Sequence, residues 1–267
     1  MSALYVTEFK RNLKSLLLWT AIVSGLVLLM ILLFPAFETA FADIEEFLAV
    51  YPPEFLEIFG MGEGGIDMGT IDGWYGIEGY LFMTLIGGSY AAILGSSILS
   101  KEEDEKTIEF LLSEPVSRTQ IFFSKALVVL TNIMLMNIIN GIVLLVAFLA
   151  FDAFDPVVWL LFTFAPVILQ SFFAGIAMLA GIFITRARKV MSVSLGLSLG
   201  TYVLLLISKL TDEGEWLKYL TPYEYVNSVD IVINKTIQPV YLLITLVVVA
   251  SSIVTAWRLY LKKDISV

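Results

Sequence analysis

Glu63, Asp67 and Asp72 are the nearest this sequence comes to residues that could do chemistry by themselves, since carboxylate oxygens are the ligands a Ca²⁺ ion takes. They lack the D-x-D-x-D-G spacing of a calcium loop. The stretch 38–78 around them holds ten acidic residues and no base, so we read a solvated acidic loop and assign no metal. The chain has no His and no Cys, which excludes an H-E-x-x-H zinc site, a Cys–His nucleophile, a Ser–His–Asp triad and any disulfide. The phosphate-cradling G-x-x-x-x-G-K-[ST] loop is absent, so ATP is not hydrolysed here by that route. We expect a non-enzymatic chain that binds no cofactor.

Two groups of polar side chains remain. Asn132, Asn137 and Asn140 fall within an arc of about 140° at 100° per helical residue, so they can share one protein interface or cavity, and Gln170 sits in the middle of another apolar stretch. These four are candidates for a pathway; the alternative is hydrogen bonding between helices. The second group is the segment SKEEDEKTIEFLLSEPVSRTQIFFSK, residues 100–125, with six acids and four bases between long uncharged runs. Within it the stretch EEDEKTIEFLLS reads as a helix with Ile108, Leu111 and Leu112 as an apolar edge beside the acids. Pro115 stops it, and Ser117 can cap a second helix. A helix, a proline turn and a helix form a shape suited to docking.

The elements that position these groups follow from composition. The chain of 267 residues is 58% hydrophobic and 15% charged, with mean hydropathy +0.89, outside the range of soluble domains. Charge-free windows at 15–37, 79–100, 126–151, 156–185, 190–208 and 236–257 are each long enough to cross about 30 Å of hydrocarbon. This predicts an all-α membrane protein of six transmembrane helices. Ala40-Phe41-Ala42 resembles a signal-peptide cleavage site, but the preceding run is longer than a signal's apolar region and reads as a spanning helix.

Of the 16 Lys and Arg, 13 lie in the N-terminal segment, the 100–125 stretch, the Arg186-Ala187-Arg188-Lys189 turn and the C-terminal tail. Lys and Arg collect in short cytoplasmic loops, so the termini and the 100–125 segment are expected inside and the loops 38–78 and 209–235 outside. The opposite face then carries 17 of the 25 acids, which accounts for the net charge of −9 and argues against nucleic acid as a partner. Residues 2–14 read as a short interfacial helix with Val6, Phe9 and Leu13 on one side. No Asp, Glu, Lys or Arg occupies mid-span, which counts against an ion-coupled carrier.

The 100–125 segment resembles the stretch after the second membrane helix in permease subunits of the type 2 ABC exporter family. The resemblance is carried by Glu102-Glu103, Lys106-Thr107, Glu109, Leu111-Leu112, Pro115-Val116-Ser117-Arg118 and Lys125. Lys106 stands where the family usually has Gly. The likeness extends to the six spans, to YPPEFLEIFG in the first outer loop and to LTPYEYVNSVDI before the last helix. It implies a permease that pairs with a second permease, taken as another copy of this chain, and with two copies of a separate ATP-binding-cassette ATPase holding ATP and Mg. The resemblance further implies that Glu102, Glu103, Thr107, Ile108, Glu109, Leu111, Leu112, Pro115 and Arg118 couple to that ATPase. The implied location is a prokaryotic plasma membrane, and an amphipathic peptide, drug or lipid is the expected cargo. Alternatives are a channel or secondary carrier, and a membrane-anchored sensor or assembly factor.

Overall fold

The computed structural model describes residues 2–40, 50, 52, 56, 60–61, 65–106, 115–184, 186–210 and 212–263. Six helices in it are long and apolar enough to cross a membrane, and among the described residues there is no strand. They are α1 (Ser2–Ala40), α2 (Ile71–Asp104), α3 (Arg118–Ala150), α4 (Pro156–Gly181), α5 (Ala187–Leu210) and α6 (Pro239–Lys262). A helix meets its own backbone hydrogen-bonding needs, which hydrocarbon would leave unmet.

Local sequence sets the helix starts. Ser117 caps α3 as expected: its hydroxyl accepts from Gln120 N–H while the Gln120 side chain accepts from Ser117 N–H. Asp155 caps α4 by accepting from Val157 and Val158 N–H, with Pro156 in the first helical position. Thr70 caps α2, which then passes through a π-helical turn at Tyr75–Gly79. The sequence stretches DIEEFLAVY and EFLEIFG, at 43–51 and 54–60, read as two short amphipathic helices and fall largely outside the described residues. Gly60 itself adopts φ +75°, a left-handed conformation that glycine takes without a Cβ penalty.

Several boundaries differ from the sequence reading: the second span begins at Ile71 rather than 79 and the sixth ends at Lys262 rather than 257. The short helix expected after Pro115 is not separate from the third span, because nothing between Arg118 and Gly141 breaks helical periodicity. The fourth span ends at Gly181 rather than at 185. The expected interfacial segment 2–14 is joined to the first span in one helical run, although its contacts turn. Tyr5 reaches Thr131 and Glu8 reaches Lys125, after which Ser24 reaches Asn140 and Phe34 reaches Phe151. Partner positions on α3 thus step back before they advance, so the first turns of α1 lie across α3 while the rest runs along it.

The centre of the bundle is α2 packed on α4. A Cβ at Gly95 would lie 2.6 Å from the Ala174 carbonyl oxygen, so only glycine lets these backbones approach this closely. The α5 stripe of Ser192, Gly196 and Gly200 is different: Gly196 and Gly200 have open space beside them.

Candidate functional site: a charged connection tied to three helices

Helix α2 ends at Asp104, and Glu105 caps it through a hydrogen bond from its N–H to Lys101 O. Lys106 follows with φ +56°. That left-handed conformation carries no Cβ penalty in glycine, so the lysine holds it under strain that a glycine would not feel. It also corrects the expectation of one helix through EEDEKTIEFLLS. The helix stops at Asp104 because the chain turns at Lys106.

Both ends of the connection are held by side chains from distant parts of the sequence. Lys125, 1% exposed, donates to Ile98 O at 2.6 Å and Glu102 Oε1 at 2.6 Å, and reaches Glu8 Oε2 at 3.5 Å. These three bonds use all the donors an ammonium has. Arg11 completes the group, lying 3.2 Å from Glu8 Oε1, 3.2 Å from Glu102 Oε1 and 2.9 Å from Glu105 Oε2. Glu8 and Glu102 are each 2% exposed, so two buried carboxylates share one buried ammonium and one half-exposed guanidinium. On the other side Lys263 bonds Glu103 at 2.6 Å, and Arg118 donates to the carbonyl oxygens of Leu261 and Lys263. The connection is therefore fastened to the start of α1, the start of α3 and the end of α6.

The expected coupling residues divide accordingly. Glu102 and Glu103 are committed to partners within the chain, and Glu102 is not free to meet another protein. Arg118 anchors the α6 end, Pro115 is exposed, and Thr107, Ile108, Glu109, Leu111 and Leu112 lie outside the described residues. Sequence reasoning did not single out Glu8 or Arg11. The available signal was Glu8 itself, the one acid in an otherwise basic N-terminal segment.

The amides are buried, each with a different partner. Asn132 accepts from Tyr90 on α2 at 3.4 Å, Asn137 donates to Gln170 on α4 at 2.7 Å, and Asn140 accepts from Ser24 on α1 at 3.1 Å. Each also donates to the carbonyl one turn back. The structure thus brings Asn137 and Gln170 together and spreads the other two over separate helix contacts. Asn137 Oδ1 and Gln170 Nε2 have no hydrogen-bond partner among the described residues. At the far end of the bundle Lys235 binds the capping Asp155 at 2.5 Å and holds its carboxyl below the usual range.

A family model described as ABC-2 family transporter protein matches residues 3–265. The chain belongs to that family. No match to the chain is found among curated proteins. Members of the ABC-2 family are transmembrane permease subunits, and the six spans identify this one as a multi-pass protein of the cell membrane. No group of His, Cys, Asp or Glu that could hold a metal ion occurs among the described residues of this ABC-2 permease.

Proposed function

We propose that this chain is the membrane half of an ATP-driven exporter whose ATPase is a separate subunit, and that the connection between α2 and α3 is the handle on which that ATPase acts. The supporting observation is the anchorage of the connection. A loop that merely joined two helices would need no buried ion group at one root and no clamp to the end of α6 at the other. A push on 107–114 would be delivered to α1, α3 and α6 together. In this reading Glu102, Glu103 and Arg118 transmit, while Ile108, Leu111 and Leu112 enter a groove on the ATPase with Glu109 at its rim. Two ATPase copies and a second copy of the permease complete the assembly. An amphipathic peptide, drug or lipid is the favoured cargo because the spans carry no mid-membrane charge.

The test is to replace Leu111 and Leu112 together with Asp, which places charge in an apolar groove at a cost of a few kcal/mol. Copurification with the ATPase and cargo-stimulated ATP hydrolysis are both expected to disappear while helical content is kept. Full coupling in that variant would overturn the handle. Orientation is tested separately: in this cysteine-free chain, Gly64→Cys should label from outside intact cells and Ser113→Cys should not.

A further inference from the structure

At the end of the bundle opposite the charged connection, a pocket of about 130 Å³ lies between α2, α5 and the short turn Glu224–Val226. Tyr80 and Thr84 line it from α2, Tyr202 and Lys209 from α5, and Glu224 and Asn227 from the turn. It is well below the roughly 300 Å³ of a drug-sized site, so it has room for a small polar group only.

Its electrostatics are unusual for an acidic face. Lys209 Nζ lies 3.9 Å from Glu224 Oε2, close enough for Coulomb attraction and too far for a hydrogen bond. Glu224 accepts one bond, from Asn227 at 3.3 Å, and its Oε2 accepts none among the described residues. Burial pushes the Glu224 carboxyl above its ordinary range, against the pull of Lys209. One acid and one base therefore stand side by side in the pocket wall without a hydrogen bond between them, with Tyr80, Tyr202 and Tyr223 beside them. An isolated cation would meet Lys209 and an isolated anion would meet Glu224, each with repulsion. A molecule carrying an ammonium and an oxyanion a few bonds apart meets neither penalty.

We infer that this pocket binds a small zwitterion, its ammonium on Glu224 and its carboxylate or phosphate on Lys209, with the tyrosine rings enclosing the carbon atoms between. The inference stands apart from the ATPase reading, since it concerns the other end of the bundle and needs no ATP. Two sources share this chemistry: a free amino acid-like solute and the headgroup of an ethanolamine phospholipid.

The experiment is calorimetric titration of the purified full-length chain in phosphatidylglycerol nanodiscs with O-phosphoethanolamine, glycine, ethylammonium and inorganic phosphate. The zwitterions are expected to bind at least about tenfold more tightly than either lone ion, as losing a charged hydrogen bond would give. Glu224→Gln and Lys209→Met should each weaken binding by a similar factor without changing the circular dichroism. Equal binding of ethylammonium, or no heat with any zwitterion, would overturn the inference, and neither result depends on a variant folding. Repeating the titration in phosphatidylethanolamine nanodiscs identifies the source: a lipid headgroup already in place blocks the soluble probe, and a free solute site stays open.

Discussion

Glu8, Glu102 and Lys125 are at most 2% exposed, and each of the two carboxylates meets both Lys125 and Arg11 within 3.5 Å. About 18 Å further along α3, Asn137 and Gln170 are fully buried too, joined by one 2.7 Å bond that leaves Asn137 Oδ1 and Gln170 Nε2 unmatched. The two regions solve burial differently. An unpaired ion inside a protein costs several kcal/mol, so the ionic group tolerates one arrangement only. An amide with an unused donor or acceptor costs less and can exchange partners when helices shift. The ionic group is thus fully paired, while the amide contact between α3 and α4 keeps one donor and one acceptor unmatched.

The strongest way to break that contrast is Lys125→Met, which leaves Glu8 and Glu102 with Arg11 alone. A loss of about 3–5 kcal/mol is expected, read as a large drop in the thermal midpoint of the purified protein. Combining it with Glu102→Leu should recover much of the loss, because an apolar pair avoids the stranded charge. Strictly additive losses would mean that the group does not act as a unit.

Asn137→Leu should cost far less, about 0.6 kcal/mol and at most about 1.7, and a double-mutant cycle with Gln170→Leu should return a coupling of that size. A change in transported cargo with no loss of stability would instead make these amides part of the pathway. The smallest effect is set by pH. Because burial raises the carboxyl of Glu224, the folded protein takes up that proton first, so stability rises as pH falls from neutral toward the ordinary carboxylate value. Asp155, held down by Lys235, contributes the opposite: its stabilisation is present above the ordinary value and is lost as pH falls through the depressed one. Glu224→Gln should flatten the first slope and Asp155→Asn the second, in unfolding curves recorded across that range.

The spans were legible because a charge-free run about 20 residues long has few other readings, and the Ser117 cap because hydroxyl, spacing and Gln120 all point the same way. What was hidden depended on distance along the chain. Glu8 meets Lys125 across 117 positions and Arg11 meets Glu102 across 91, and no local pattern encodes either pairing. The end of α2 was misread for another reason: helical periodicity continues through Lys106, and only the backbone angle reveals the turn. The three asparagines were correctly placed on one arc, yet an arc of about 140° is wide enough to face three neighbouring helices, and it does.

The clamp of Lys263 and Arg118 has a consequence for biosynthesis. Glu103 and Arg118 are made early, and their partners at Leu261 and Lys263, in the last turn of α6 and just past it, leave the ribosome only after the other five spans. Until then one root of the connection is unfastened, with an acid and a guanidinium lacking their final contacts. A product truncated just before Leu261 would keep five spans and most of α6 and still leave Glu103 and Arg118 without these contacts.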